Sequence, residues 1–417
     1  MLLLISPVFT LVYTLKQKDK RFTKWMLTLF STVYASTFNI EGIGDGTVHW
    51  ERVYSYYVGL SFPQFLSDLK DILLFKTNHY VNEDVYIHFL SYLTGEVFAV
   101  PGLFFVFVGF IYGYFFSASM VAVFDRFPSI GKHFHFFILA VYFIAILNLQ
   151  SMNTVRTWTG FWVLFYGVLQ YQTTGKKKYL MLLFLPPFIH VGYFIMCIPI
   201  WIVTFFPLKK QVLIILYGLS FATTLFSPAA VLSQLSKYEV GAEKIDGYYI
   251  EEEVSVADRL ESGGNKRWYK TYRRSGILAW AMVVLSLAFI LNGAFLTDMN
   301  RLEEKLFSMG LLSKVLSNTT WFIFALSNRS EIISSLFILG AIVIYWQRKQ
   351  RLQQTLKMGF LPRTMLTISV LLIIPVFFFY ISNTLEFTSV YILAFPSMAW
   401  IDESLRLTMR EFLGFFL

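Results

Sequence analysis

Cysteine and charge are both scarce in this sequence. Cys197 is the single cysteine among 417 residues, so a disulfide within the chain is excluded. Charged residues make up 15% of the chain, whereas soluble domains carry about 25%, and no charge-rich tract occurs. A disulfide-stapled domain, a collagen-like chain and a disordered chain are therefore excluded.

Motifs that bind metals or nucleotides are missing as well. The sequence contains no HExxH, no P-loop, no CxxC pair and no GxSxG. Its six histidines do not fall in the spacing of a zinc site. We therefore expect no metal site and no cofactor in this chain.

Apolar residues are abundant instead. They make up 56% of the sequence, aromatic residues 19%, and the mean hydropathy is +0.58. A water-soluble globule cannot hide so much apolar surface behind so few charges. The apolar runs are continuous rather than alternating, which favours helices over the strands of a β-barrel. The composition predicts an all-α fold, a polytopic membrane helix bundle in which residues 1–417 form one integral membrane domain.

The apolar runs predict about ten to twelve membrane spans. The main runs are 1–15, 26–40, 100–124, 133–149, 157–171, 179–206, 212–232, 276–296, 332–346 and 365–382. An amphipathic segment, 85–98, leads into the third of these runs. The C-terminal residues 387–400 and 405–417 predict a final, less regular region.

The distribution of charge predicts the orientation of these spans. The net charge is +9, and its basic residues form short clusters between apolar runs, which is typical of cytoplasmic helix ends rather than of nucleic-acid binding. The clusters at 16–24, 176–178 and 348–351 are predicted inside. The acidic, aromatic segment 41–84 and the turn 150–156 are predicted outside, with 41–84 resting on the membrane interface.

Two interpretations are open for the run 179–206, which is too long for one upright span. The proline pair at 186–187 breaks the helix, so the run is either one kinked helix or two half-helices that return to the same side. The second interpretation places the lysines 209–210 inside, makes 297–329 a crossing segment, and puts the polar loop 233–275 outside. We prefer it because it satisfies every basic cluster.

Arg156 and His190 are the first candidates for chemistry. Arg156 opens the span 157–171 at its predicted outer end, and its guanidinium offers a fork of donors that fits a phosphate or a carboxylate. His190 follows the proline pair inside an apolar run, and its titration range suits a base or a phosphate donor. The alternatives are an arginine that reaches the lipid headgroups and a histidine that bonds a neighbouring helix.

Two further groups of polar residues are weaker candidates. The first is the acidic and basic group at the start of the outer segment: Asp45, His49, Glu51 and Arg52. Glu96, a separate candidate, interrupts the apolar stretch before Pro101. The second group is Arg406 and Arg410, whose spacing of four predicts one helix face. The alternative for the first group is an ordinary solvated loop, and the alternative for the second is a basic surface on the inner side.

The order of several motifs resembles a known family. Asn153-Thr154-Val155-Arg156-Thr157 precedes an apolar span, the basic turn Gly175-Lys176-Lys177-Lys178, and then Phe188-Ile189-His190. This order resembles the EpsG family of Wzy-like bacterial exopolysaccharide and O-antigen polymerases. The segments 44–57 and 83–125 are similar to the family's outer loop and to its acidic start of a long span.

The chain departs from the family pattern at three places. Thr157 stands where the family usually has Gln, and Val191-Gly192 stands where it has small hydroxyl residues. The family's late R-F-x-x-Y has no clean equivalent, and Arg406 or Arg410 stands closest to it.

The resemblance implies a GT-C-like glycosyltransferase that is multi-pass in the bacterial inner membrane and acts on the exoplasmic face. It would polymerise oligosaccharide repeat units, with undecaprenyl-diphosphate-linked glycan as donor and as acceptor, without metal or cofactor. Membrane lipids and a chain-length regulator are the implied partners. The residues it implies are Arg156, His190 and Asp45 for catalysis, and Asn153, Arg52, Arg406 and Arg410 for pyrophosphate binding. An O-antigen ligase, another membrane glycan transferase, and a transporter or flippase of lipid-linked sugars are the alternatives.

Overall fold

The computed structural model describes residues 2–38, 45–76, 84–124, 133–225, 267–401 and 407–415. Most of the predicted polar loop 233–275, together with Arg406, therefore lies outside the described residues. Within them every named element is helical, and an isolated bridge joins Ser389 to Thr408. The all-α prediction is confirmed for this part of the chain.

Seventeen of the described α-helices have at least six residues. They are α1 (Pro7–Leu15), α2 (Lys20–Ser36), α3 (Asp45–Arg52), α4 (Phe62–Leu73), α5 (Val85–Tyr92), α6 (Leu103–Val123), α7 (Phe134–Ile146), α8 (Thr157–Thr174), α9 (Ile198–Phe205), α10 (Lys210–Ser220), α11 (Trp268–Arg274), α12 (Ile277–Leu291), α13 (Arg301–Thr319), α14 (Phe324–Arg351), α15 (Phe360–Ile373), α16 (Val376–Phe387) and α17 (Met409–Gly414). Four-residue helices and short 3₁₀ and π turns lie between them.

Four of the described helical segments are long and apolar enough to cross a membrane. They are Leu103–Val123, Phe134–Thr154, Phe324–Arg351 and Phe360–Phe387. Three shorter apolar helices accompany them: Tyr193–Phe205, Lys210–Thr223 and Ile277–Leu291. The structure thus bears out the prediction of an apolar helical protein with several membrane-length helices.

Capping residues move two helix boundaries away from their predicted positions. The predicted span 26–40 begins earlier, because Asp19 accepts hydrogen bonds from the backbone N–H groups of Arg21 and Phe22 and so starts α2 at Lys20. Asn300 forms a capping box with Glu303. That cap starts α13, so a regular helix occupies Arg301–Thr319 within the segment 297–329.

The chain divides into two compact units. The first unit comprises Met1–Phe127, Leu147–Phe194 and Tyr380–Leu417, and the second comprises Pro128–Ile146 and Ile195–Phe379. In the first unit α2 packs antiparallel to α6. A Cβ at Gly109 on α6 would collide with Ala35 and would lie 2.9 Å from the carbonyl oxygen of Ser31, so glycine sets this close approach.

Lysines and tyrosines of the first unit pack together from the middle of α6 and α8 toward the basic turn after α8. The Nζ of Lys24 lies 4.7 Å from the ring centroid of Tyr114, whose ring lies 6.5 Å from that of Tyr166. Tyr166 in turn faces Tyr179 at 6.3 Å, and Lys178 lies over Tyr179 at 5.2 Å. This lysine–tyrosine group joins two of the predicted inside clusters, and such mixtures are typical of membrane interfaces.

Arg156 lies at the other end of α8 from these lysines. The helix has 18 residues, so it is about 27 Å long, close to the thickness of a hydrocarbon core. Gly175 ends it in the left-handed conformation, with φ of 67°. The basic turn that follows and Arg156 are therefore separated by the full length of the helix.

In the second unit α13 and α14 form an antiparallel hairpin. A Cβ at Gly310 would lie 3.0 Å from the carbonyl oxygen of Ser334, so the two helix backbones approach closely. Nearer the turn that joins the two helices, Lys314 donates to the carboxylate of Glu331, and Ser317 donates to the same carboxylate at 3.2 Å. The hairpin thus buries an ion pair between its two helices.

Acidic and basic residues gather at the opposite end of this hairpin. Arg348 binds the buried carboxylate of Glu303 through two parallel hydrogen bonds of 2.7 and 2.8 Å. Lys349 donates to Asp298 at 2.7 Å. Lys210 forms an ion pair of 2.9 Å with Glu304, the residue next to Glu303. Lys210 therefore shares one end of the second unit with the basic cluster 348–351.

α7 runs in the same direction as residues 360–379 within the second unit, where His135 Nε2 lies 3.1 Å from the Thr367 hydroxyl. Near its start, Phe136 lies 5.9 Å from Trp346, close to the basic end of α14. Near its other end, Tyr142 lies 6.4 Å from Phe377 on α16. The chain therefore leaves α7 at the end opposite to Arg348.

We predict that removing one member of the Lys314–Glu331 pair costs far more than removing both. The Lys314 residue is 8% exposed, so Glu331→Leu leaves a buried, uncompensated charge and should lower the free energy of unfolding by about 3–5 kcal/mol. The double variant Lys314→Met/Glu331→Leu should recover most of that loss. Unfolding of the purified variants in detergent measures both values.

The exposed pair Lys76–Asp71, at 3.6 Å, is the matched control, and its removal should cost about 0.2–1 kcal/mol at most. Strictly additive losses in the Lys314 and Glu331 variants would contradict the prediction.

Candidate functional site

Three helix ends meet at one carboxylate in the first unit. Asp84 precedes α5, Arg156 precedes α8, and His190 follows the four-residue helix Pro186–Ile189. Helix ends carry backbone groups without intrahelical partners. Their convergence therefore brings polar groups together in an otherwise apolar unit.

The Asp84 carboxylate accepts from three donors. Arg156 Nη1 lies 2.5 Å from Oδ2, and His190 Nδ1 lies 3.3 Å from the same oxygen. The backbone N–H of Val191 donates to Oδ1 at 2.7 Å. The side chains are 1% exposed for Asp84, 7% for His190 and 16% for Arg156. We call this group the Asp84 cluster.

The donors keep Asp84 ionised although it is buried. Burial alone raises the pKa of a carboxyl group. The hydrogen bond and charge of His190 act in the opposite direction, followed by the charge of Arg156 and the backbone N–H of Val191, and together they lower the pKa of Asp84 to about 2. At neutral pH the group is therefore an anion that can only accept hydrogen bonds.

The proline pair explains why His190 is available to the cluster. Pro186 and Pro187 begin a helix that ends after Ile189, and His190 itself is extended, with φ of −154° and ψ of 122°. A new helix begins at Tyr193. The break predicted within 179–206 is confirmed, and it turns a histidine out of a regular helix.

Tyr193 fixes the broken segment against α8. Its hydroxyl donates to the carbonyl oxygen of Thr157 at 2.6 Å. A Cβ at Gly160 would lie 2.7 Å from the ring of Tyr193, so glycine makes room for it. His190 and Arg156 are thereby held on adjoining segments.

The backbone is strained immediately before Arg156. Val155 has φ of 52° and ψ of −58°, a γ-turn geometry closed by a hydrogen bond of 2.5 Å from the N–H of Arg156 to the carbonyl oxygen of Thr154. A positive φ is rare for a β-branched residue, and Val155 is fully buried. Strain of this kind is concentrated at functional sites.

The outer-segment candidates lie beside the loop that leads to Arg156. Asp45 and Arg52 are the first and last residues of α3. Between them, a Cβ at Gly46 would collide with the side chain of Asn153 and lie 2.8 Å from its carbonyl oxygen. Asp45 itself makes no hydrogen bond or ion pair with another described residue. The structure thus brings α3 against Asn153, without linking Asp45 to the Asp84 cluster.

Of the two C-terminal candidates, the structure describes Arg410. Thr408 caps α17 through a capping box with Glu411, so the helix that carries Arg410 begins only at Met409. Arg410 is the second residue of that helix, whereas Arg406 lies outside the described residues, so their common helix face stays a prediction. Arg410 forms an ion pair of 3.1 Å with Glu386.

Glu96 and His88 have structural contacts. The carboxylate of Glu96 accepts from the backbone N–H of Gly59 at 2.7 Å, beside the left-handed conformation of that glycine. His88 is fully buried. The hydroxyl of Tyr57 lies 2.8 Å from its Nδ1, and the carbonyl oxygen of Phe65 lies 3.1 Å from its Nε2. These contacts shape the outer segment.

Asp84 is the residue that the sequence did not single out. It lies at the border between the polar segment 41–84 and the amphipathic segment 85–98, where an acidic residue is unremarkable. Its partners Arg156 and His190 are 72 and 106 residues away. The one available signal was the acidic start of the family-like segment 83–125.

The Asp84 cluster combines an anion-binding fork, an imidazole and a buried carboxylate. Such a site can hold an anionic group and transfer a proton beside it. The chain matches no family model, no curated protein and no solved structure. The chemistry of the cluster is therefore the basis for a functional proposal.

We predict that Asp84→Asn lowers stability in a pH-dependent manner. The folded-state pKa of about 2 lies below the ordinary value of 3.8, so the stabilisation by the ionised group is fully present above the ordinary pKa and is lost as the pH falls toward the folded value. The difference in unfolding free energy should be about 2 kcal/mol at neutral pH. It should shrink below pH ~4.

Unfolding of both proteins over this range, in detergent, measures the difference. A constant difference through the acidic range would contradict the assignment of an ionised Asp84.

Proposed function

We propose that this chain is a membrane glycosyltransferase that polymerises lipid-linked oligosaccharide repeat units. Donor and acceptor are undecaprenyl-diphosphate-linked glycans, and the reaction takes place on the exoplasmic face of the bacterial inner membrane. The protein is multi-pass, with ten to twelve spans in a GT-C-like bundle.

The Asp84 cluster is the observation that carries this proposal. It presents a guanidinium and an imidazole together, close to the end of an apolar unit. A lipid diphosphate is an anion that remains at the membrane surface, and such a pair of donors suits it. The motif order resembles that of the EpsG family, and this resemblance supports roles for Arg156 and His190.

The polarity of the helices supports an outward-facing cluster. Arg156 is separated from the basic turn 175–178 by the length of α8. Basic ends are typical of the cytoplasmic side, so this separation favours an exoplasmic Arg156.

The direction of the helices in the second unit favours the interpretation in which the loop 233–275 is outside. Lys210 shares an end with the cluster 348–351, which accords with an inside position for both. α10 then runs outward, and α12 returns inward to the π turn Ala294–Asp298. α13 crosses outward again as the partner of α14 in their hairpin.

The reaction needs a stabilised leaving group and a deprotonated acceptor. A hydroxyl of the acceptor glycan forms a bond to the anomeric carbon of the donor, and the bond between that carbon and the diphosphate oxygen breaks. The hydroxyl loses its proton, and the diphosphate departs with the bonding electrons. Arg156 stabilises the charge that develops on that oxygen, which lowers the transition-state energy more than the ground-state energy.

The helix α3 is well placed to contact the substrate. Gly46 packs directly on Asn153, three residues before Arg156. Asn153, Arg52 and Asp45 therefore adjoin the loop that presents the guanidinium, and they would bind the diphosphate or the first sugars.

We predict that Arg156→Ala abolishes polymerisation. Cells should accumulate single repeat units without a ladder of longer chains, and the purified variant should lose at least about 100-fold in rate. Arg156→Lys should also fail, because a lysine cannot form the two-pronged contact of a guanidinium. Gel analysis of the glycan and an assay with a defined lipid-linked repeat unit measure these effects.

Arg363→Ala, at an exposed arginine on α15, is the matched control and should polymerise normally. Each variant must be inserted and expressed at the wild-type level. A full ladder from Arg156→Ala would remove Arg156 from catalysis. Lipid-linked units trapped in the cytoplasmic leaflet would indicate a flippase, and transfer only to a lipid A-core acceptor would indicate a ligase.

A further inference from the structure

The contact between Asp84 and His190 determines which nitrogen of the imidazole carries hydrogen. Asp84 is ionised and has no hydrogen to donate, so the 3.3 Å contact requires a hydrogen on His190 Nδ1. The neutral ring then carries its lone pair on Nε2. A carboxylate that binds one ring nitrogen commonly fixes the tautomer and the direction of the other.

The same carboxylate also holds Arg156; the Asp84 and His190 side chains are buried, and that of Arg156 is 16% exposed. Arg156 alone would disfavour a second positive charge on the neighbouring imidazole. Asp84 compensates that charge, so His190 can accept a proton beside a permanent cation. The carboxylate is therefore required if the histidine is to work as a base here.

We propose that Asp84 is a positioning residue that holds His190 by its Nδ1–H so that Nε2 accepts the proton of the acceptor hydroxyl. This inference rests on the proposed function. The acceptor oxygen bonds to the anomeric carbon, its proton passes to Nε2, and the diphosphate leaves with the electrons of the broken bond. Arg156, bound to the same carboxylate, faces the leaving group.

The surroundings of His190 set the expected pH dependence. The ionisable groups that face it include Asp84 before α5, Arg156 before α8, and the Tyr193 ring at 6.3 Å on its own segment. Asp84 favours the protonated imidazole, and Arg156 opposes it. Loss of the carboxylate charge therefore lowers the pH at which His190 becomes a base.

The test compares Asp84→Asn with the wild type in single-turnover transfer from a defined lipid-linked diphosphate oligosaccharide, over a range of pH. The variant should transfer about 10- to 100-fold more slowly at its plateau. The acid limb of its rate profile should move about one pH unit lower. A purely structural role would lower the amount of active protein without moving that limb.

Two further variants keep the test decisive. Asp84→Glu retains the charge, so its acid limb should stay at the wild-type pH although its plateau falls. If Asp84→Asn does not accumulate, the test is the comparison of Asp84→Glu with the wild type. Asp68→Asn removes another buried carboxylate, one that accepts from Tyr56 and Gln64, and should leave the limb unmoved.

The outcomes separate this inference from the function on which it rests. A wild type that forms no oligomers overturns the proposed function. A wild type that polymerises while Asp84→Asn keeps its acid limb and its plateau overturns the role of Asp84 alone. An Asp84→Glu limb that moves with that of Asp84→Asn also overturns it, because the charge would then not be the cause.

Discussion

A buried carboxylate is the constraint on which the first unit of this protein depends. Removing an ionised group from water costs several kcal/mol unless donors replace the lost hydration. The side chain of Asp84 is 1% exposed, and its donors come from the start of α8 and from the break after Ile189. One charge therefore fixes the relative positions of three chain segments.

The irregular backbone around the Asp84 cluster is supported by ordinary packing nearby. Tyr112 on α6 donates to the carbonyl oxygen of Asn148 at 2.8 Å and accepts from the indole N–H of Trp162 on α8 at 2.9 Å. These bonds hold the loop before Arg156 between two regular helices. The strain at Val155 thus lies within a rigid frame, which is the setting in which sparsely populated backbone conformations persist.

The sequence predicted the apolar helices and two members of the Asp84 cluster, for a common reason. A charged or imidazole group is costly in hydrocarbon, so Arg156 and His190 stand out against the runs that contain them. Asp84 lies in a polar segment, where a carboxylate carries no such cost. Its importance arises only when the fold buries it against residues far away in the chain.

Helix ends escaped prediction for a related reason. Charged residues before an apolar run look like a loop, yet Asp19 and Asn300 use short polar side chains to start α2 and α13 within such stretches. Thr408 acts in the same way at α17, so the helix that carries Arg410 begins only at Met409. Caps are decided by one hydrogen bond, and hydropathy does not detect them.

The Lys314–Glu331 pair and the Asp84 cluster differ in the backbone that surrounds them. Lys314 and Glu331 lie within regular helices of one hairpin, where the backbone groups are already bonded and the side chains satisfy one another. Asp84 lies at helix ends, where the N–H of Val191 is free of intrahelical bonding and joins the side chains as a donor. The Asp84 carboxylate thus keeps a backbone donor at Oδ1 when a side chain leaves it, whereas Glu331 is held by the side chains of Lys314 and Ser317. The helix ends around Asp84 provide this arrangement, and the hairpin does not.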